Sequence, residues 1–403
     1  MEPDLNGQKD NNGKDKAEET ESAVEVIVES VEENLKKKKP KKKWKKITIW
    51  SIFILFTVGV FVYTLLNDFS GDKPISFAGL GRNWWYLIIA AVVSASFFIC
   101  RGIVFSIMMR LFTGKPRFKT SFNVAMIGYF YDNVTPLGTG GQPFQIHYLQ
   151  NKGLPNGAAI TLPVIEYVES SFVVVFLSIV SIILSATNVF GNYVYMNDAT
   201  RTTLYITASL GIVFNFGLPF LLIVSLFSKK ACRKVTRFAV KTAAFLKLTK
   251  HPDKLYKNIM NSLQANINCM KIVINNKRLY LCFLFSFGEV IAGASVGYFV
   301  IKAFGFGTPH GWGWAEIAML TMLVKSSVSF IPTPGGSGAL ELSFYLVFYE
   351  ALALSTGAAT GAIATIFWRI LSYYIPILIG LIIVVKVFSE KKRKSKELLN
   401  KRR

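Results

Sequence analysis

Residues 131–142 read YDNVTPLGTGGQ, and residues 331–342 read IPTPGGSGALEL. Aligning Thr135 with Thr333 also places Pro136 on Pro334, Gly138 on Gly336, Thr139 on Ser337 and Gly140 on Gly338. One glycine-rich phrase is thus written twice, each time at the centre of an apolar segment, near 120–151 and 315–353. Each half of these segments has about 12 to 16 residues, too short to cross a hydrocarbon core that takes about 20 as a helix.

The surrounding sequence sets the solvent. The 403 residues are 52% hydrophobic and 14% aromatic yet carry a net charge of +22, so apolar and basic runs must be segregated. ITIWSIFILFTVGVFVYTLL at 47–66 is an unbroken apolar run of membrane-spanning length. Further spans are expected at about 84–109, 157–186, 203–227, 279–304 and 360–388. The hydrophilic residues ahead of 47 lack the form of a signal peptide, so the first span is expected to be an uncleaved anchor. Residues 1–34 are acidic and polar, and are expected to be disordered. KKKKPKKKWKK at 36–46 abuts a span, and reads as a positive-inside flank touching anionic lipid rather than as a nucleic-acid patch.

Charge distribution then decides what the two interrupted segments do. If each is a re-entrant hairpin that leaves on the side it entered, the 36–46 run, the loops and the carboxy-terminal tail on the amino-terminal side hold 35 Lys and Arg and the loops on the other side hold 3. That asymmetry favours both termini in the cytoplasm. The fold expected is an all-α polytopic membrane protein with about six full transmembrane helices and two oppositely oriented re-entrant helical hairpins, an inverted repeat. Residues 47–388 form the membrane domain, flanked by a cytoplasmic tail at 1–46 and a basic one at 389–403. A cytoplasmic loop at 228–278 is amphipathic through Val235, Phe238, Phe245 and Leu246, then through Ile259, Leu263, Ile267, Met270 and Ile274. It is expected either as a helical pair on the inner leaflet or as a mere connector.

Irregular backbone at membrane depth survives only where protein or a water-filled cavity satisfies it. Glycine permits the tight reversal, Pro136, Pro332 and Pro334 help fix it, and Thr139 or Ser337 is placed to cap the half-helix that follows. Thr139 and Gln142 also have capping-box spacing. Two such amino termini facing each other would suit a phosphate; the alternative is that the loops only let helices pack closely. Ionisable residues inside the spans are costly unless paired or wet. They are Arg101, Glu166, Glu169, Glu289, Lys325, Glu341 and Arg369, with Asp132 just before the first tip. Simple pairing of Arg101 and Arg369 with Glu166, Glu169 or Glu289 is the competing reading.

Catalytic and metal readings find little support. Gly335-Gly336-Ser337-Gly338-Ala339 misses the nucleophile-elbow pattern at its last position. The three histidines and four cysteines (Cys100, Cys232, Cys269, Cys282) have no metal-ligand spacing. Gly293/Gly297 and Gly357/Gly361 read as helix-packing pairs. No catalytic residue, metal or cofactor is expected.

YDNVTPLGTGGQPFQIHYL (131–149) together with FIPTPGGSGALELSFY (330–345) resembles the paired signatures of the lysylphosphatidylglycerol synthase transmembrane family, over roughly residues 45–390. The family includes the flippase half of the multiple peptide resistance factor and stand-alone flippase-like bacterial proteins. The resemblance implies a lipid-handling site on Thr135, Pro136, Gly140, Gly141, Gln142, Pro143 and Gln145, and on Pro332, Pro334, Gly335, Gly336, Gly338 and Glu341. Thr139, Ser337, Arg101, Lys325 and Arg369 join the candidates from the reading of the residues. Many members carry Glu and Arg where this chain has Gln142 and Gln145. The implied function is translocation of an anionic phospholipid, aminoacyl-phospholipid or polyprenyl-phosphate lipid in a bacterial plasma membrane, with a connection to antibiotic resistance. The alternative is lipid modification beside a separate cytosolic transferase or glycosyltransferase, because no aminoacyl-transfer domain is expected in a chain that ends at Arg403. Membrane phospholipids are the expected partners, with a homo-oligomer open and no nucleic acid.

Overall fold

The computed structural model describes residues 78–135, 138, 140–187, 198–227, 269–305, 313–356 and 358–401, with scattered positions between 230 and 256. The expected anchor at 47–66, the tail at 1–46, most of the loop at 228–268 and Gly357 lie outside them. Every regular element among the described residues is helical. In chain order they are α1 (Ala78–Asn83), α2 (Trp85–Thr113), α3 (Phe118–Val134), α4 (Gly141–Asn151), α5 (Asn156–Ala186) and α6 (Asp198–Phe227). Then follow α7 (Leu279–Ala303), α8 (Trp314–Ser327), α9 (Ala339–Thr356), α10 (Ala358–Arg369) and α11 (Ile375–Lys401), with one π turn at Ile370–Tyr374.

Length sorts these helices into two kinds. α2, α5, α7 and the stretch Gly361–Val387 through α10 and α11 are long and apolar enough to cross a membrane, and α6 has 30 residues across the segment expected at 203–227. Their open faces carry Val92, Ile99, Phe176, Ile183, Leu284 and Ile382, apolar surface that water would not tolerate in such continuity. The fold is an all-α, multi-pass membrane protein. α3, α4, α8 and α9 have only 17, 11, 14 and 18 residues. At 1.5 Å per residue they reach about 26, 17, 21 and 27 Å, each short of a hydrocarbon core of roughly 30 Å.

The order long helix, broken pair, long helix therefore occurs twice, as α2, α3/α4, α5 and as α7, α8/α9, α10/α11. The leading helices α2 and α7 lie side by side and run in opposite directions. Tyr86 sits beside Phe299 with ring centroids 6.5 Å apart, Phe97 beside Gly293 and Cys100 beside Gly288, and Arg101 beside Glu289. Gly293 leaves room for the Phe97 ring and the Lys325 ammonium, and Gly297 for Thr321 and Phe344, so this glycine pair is a packing device as expected. Each broken pair also leans on the last helix of the other repeat, α3 against α11 and α8 against α5.

At the described end of the connector before α7, Met270 and Val273 are buried with Val104, Phe105 and Met108 of α2. The interior is otherwise two large apolar clusters, one around Phe344, Phe348 and Trp368 and one around Phe105, Met108 and Leu162.

α6 and α8 meet backbone to backbone at Gly211, where a β-carbon would strike the Ser326 carbonyl, whereas at Gly217 on the same helix it would meet nothing within 4 Å. Gly211→Ala is expected to destabilise the protein by about 1–3 kcal/mol, and Gly217→Ala to leave it within about 0.5 kcal/mol or slightly stabilised. Thermal melting of the two variants in one detergent checks this.

Candidate functional site

The two glycine phrases are the tips of the broken pairs, and they meet. At the first, Gly138 turns at φ 61°. The Thr135 hydroxyl donates to the Tyr131 carbonyl at 2.7 Å and accepts the Gly140 amide at 3.0 Å. Asp132 Oδ1 accepts the Gly141 amide at 2.8 Å. A β-carbon on Gly140 would run into Thr135 and one on Gly141 into the Asp132 carboxylate, which is why the phrase ends in two glycines. Pro136, Leu137 and Thr139 lie outside the described residues.

At the second tip Gly335, Gly336 and Gly338 take φ of 58°, 67° and 84°, a left-handed run that other residues resist. Glu341 Oε2 accepts the Gly338 amide at 2.7 Å, and its Oε1 accepts Arg369 Nε at 2.6 Å. Arg369 also donates from Nη2 to the Gly335 carbonyl at 3.2 Å and lies 4.0 Å over the Tyr373 ring. One ion pair therefore ties α9, α10 and the tip together.

The π turn supplies the joint between the tips. A π turn inserts a residue and leaves carbonyls without helical partners; here Leu371 O accepts the Ser94 hydroxyl at 2.7 Å and Ser372 O the Tyr129 hydroxyl at 2.8 Å. The same turn brings the Tyr373 hydroxyl between two carbonyls, Asn133 at 3.2 Å on the first tip and Pro334 at 3.4 Å on the second. Its one proton is shared between them. Gly335 has no side chain because the Tyr373 ring occupies that space. The sequence reading missed Tyr373, Asn133, Ser94 and Tyr129, since a π turn leaves no periodicity of its own.

Three cavities surround the joint. One of about 220 Å³ is lined by Asp132, Asn133, Gly138, Thr333, Gly335 and Gly336. One of about 210 Å³ is lined by Phe97, Tyr129, Arg369 and Tyr373, and one of about 340 Å³ by Arg101, Ser170, Asn215 and Glu289. Lys325 lines all three. Its ammonium donates to the Gly293 carbonyl at 2.8 Å, and among the described residues it takes part in no ion pair. Arg101 is bound to Glu166, Nε to Oε1 at 2.8 Å and Nη2 to Oε2 at 3.4 Å, with Glu289 at 4.0 Å.

These contacts revise the expected site. At the half-helix amino termini, Thr135, Asp132 and Glu341 already accept the amides of Gly140, Gly141 and Gly338. Carboxylates there also offset the positive ends of the helix dipoles. Ser337 does not cap α9; Glu341 does, reaching back three residues. Gln145 is buried in the space that Gly128 leaves and donates to the Val124 carbonyl at 3.2 Å, which makes it a packing residue. Gln142 opens α4 outside the linings of these cavities. Arg101 is paired with Glu166, within the pairing alternative, whereas Arg369 is paired with Glu341, which lay outside it. Of the candidate cations, Lys325 alone lacks a carboxylate among the described residues.

Removing one partner of a buried pair strands the other charge, at a cost of about 3–5 kcal/mol. Glu341→Ala is expected to destabilise by that amount, and Glu341→Leu with Arg369→Met to recover a large part of it. Melting curves of the single and double variants in detergent measure the difference.

Comparison with known proteins bears on what this arrangement is. The chain is 24% identical to an uncharacterized protein of Mycoplasma pneumoniae over 82% of its own length and 86% of that protein's. It is 21% identical to a UPF0104 membrane protein of Methanocaldococcus jannaschii, over 75% and 92% of the two chains. For one of Archaeoglobus fulgidus the identity is 22%, over 82% and 93%. The family profile of the lysylphosphatidylglycerol synthase TM region matches residues 48–380, through both glycine tips and every helix that carries the cavities. The chain belongs to that family.

Proposed function

We propose that this protein translocates an anionic lipid, namely a phospholipid, an aminoacyl-phospholipid or a polyprenyl phosphate, across a bacterial plasma membrane with both termini in the cytoplasm. The observation that carries the reading is Lys325, a cation without a carboxylate partner among the described residues, which lines three cavities, one of them walled by both tips. A charge held away from water is costly unless an opposite charge meets it, and an anionic headgroup supplies one. Cavities of about 340, 210 and 220 Å³ hold a headgroup and not acyl chains, so the chains stay in the bilayer as the headgroup crosses.

The inverted repeat supplies the motion. Two halves of opposite orientation can exchange roles by rocking, which opens the Lys325 region to one side and then the other. The tips are the moving contact, and the shared Tyr373 hydroxyl is an interaction weak enough, about 1 kcal/mol for a neutral hydrogen bond, to break and remake in each cycle. Arg369 and Glu341 keep the second tip rigid meanwhile, and Arg101 lies beside the path.

In liposomes carrying labelled phosphatidylglycerol, leaflet-specific quenching is expected to show flipping that depends on the protein. Lys325→Met is expected to reduce it to the protein-free background, with an unchanged gel-filtration profile, and Lys325→Arg to restore part of it. Flipping by Lys325→Met at the wild-type rate would remove the site from the mechanism.

A further inference from the structure

Beside the lipid path lies a second set of groups whose charges do not balance. α2 contributes Arg101, α5 contributes Glu166 and Glu169, and α7 contributes Glu289, and the three glutamates are 2%, 2% and 3% exposed. Arg101 is committed to Glu166 at 2.8 Å and stands 4.0 Å from Glu289. Glu169 Oε2 accepts the Ser286 hydroxyl at 2.9 Å. Two buried oxygens remain without any hydrogen bond, Glu169 Oε1 and Glu289 Oε2.

Three buried carboxylates around one guanidinium leave a surplus of negative charge at the wall of a cavity. Buried ionised groups in that position neutralise rather than remain charged, so at least one of the three holds a cation. Among the described residues no three acidic, histidine or cysteine side chains converge as metal ligands do, and a proton needs no such ligand set. Glu289 is the glutamate that lines the cavity of about 340 Å³, a space with polar walls and room for water. The other groups facing it are Arg101 and Cys100 from α2, Glu166 and Glu169 from α5, and Lys325 from α8 across the same cavity. Asp132 on α3 acts on it through Arg101.

We propose that Glu289 is a proton-binding site through which a transmembrane proton gradient drives lipid movement; this rests on the translocase reading above. An anionic headgroup arriving at Lys325 draws Arg101 away from the glutamates. Glu289 then takes one proton from cavity water onto its unpaired oxygen. When the headgroup leaves on the other side, Arg101 returns and the proton passes back to water there. Lipid and proton bind with mutual reinforcement, as linkage requires, and one proton accompanies each anion.

The experiment uses the full-length protein in liposomes with labelled phosphatidylglycerol, the membrane potential being clamped with valinomycin and potassium. With one proton per lipid, a gradient of one pH unit is expected to hold the label at a ratio approaching about tenfold between leaflets. Glu289→Gln is expected to flip lipid at symmetric pH yet leave it evenly distributed under the gradient. An even distribution for the wild type, a gradient response that survives in Glu289→Gln, or a response to sodium in place of protons would overturn the proposal.

Infrared difference spectra of the detergent-solubilised protein, titrated with pH, read the site without any lipid movement. A protonated-carboxyl band that titrates in the wild type and is lost in Glu289→Gln supports the site, and its absence in the wild type overturns it. A wild type that shows the band but moves no lipid would overturn the translocase reading and leave the proton site standing.

Discussion

Backbone that leaves the helical path inside a bilayer has to find its hydrogen-bond partners within the protein, and the rest of this structure follows from how two tips meet that demand. Each tip is closed by its own side chains, Thr135 and Asp132 on the first and Glu341 on the second. Both are then held to one residue, Tyr373, whose hydroxyl lies between carbonyls of Asn133 and Pro334. The close approach of these groups dictates glycine at positions 140, 141 and 335, because a β-carbon there would overlap Thr135, Asp132 or the Tyr373 ring. The repeated phrase is thus a packing requirement imposed twice by one architecture. The antiparallel pairing of α2 with α7 brings the two solutions together.

The same geometry partitions the charges. Arg101 and Arg369 are each bound to a glutamate from another helix, whereas Lys325 and the unpaired oxygens of Glu169 and Glu289 are left with incomplete partners. Stable cores seldom tolerate such groups. Lys325 and Glu289 line one cavity of about 340 Å³ together, while the Arg369–Glu341 pair closes the second tip.

Much of this was legible in the sequence, for physical reasons that can be named. Length alone marked α3, α4, α8 and α9 as too short to cross, and the prolines and glycines at 135–141 and 332–338 placed the reversals. The capping role of Glu341 is readable from its spacing of three residues from Gly338, a capping-box distance. Other features had no local signal. The π turn breaks no sequence rule, and Ser94 with Leu371 or Tyr129 with Ser372 joins residues more than 240 positions apart. Which arginine meets which glutamate is likewise a property of the fold: nothing near Arg101 in the chain singles out Glu166 over Glu169 or Glu289.

The central claim is that the two tips meet inside the membrane, and cross-linking tests it most directly. With Cys100, Cys232, Cys269 and Cys282 replaced by alanine, Asn133→Cys and Thr333→Cys would be introduced together; both positions line the same cavity. A short bifunctional thiol reagent applied to intact membranes is expected to join them within one chain, seen as an altered mobility after proteolysis between the two sites. No cross-link, with each single cysteine still labelled by maleimide, would show that the tips lie apart and would contradict the account.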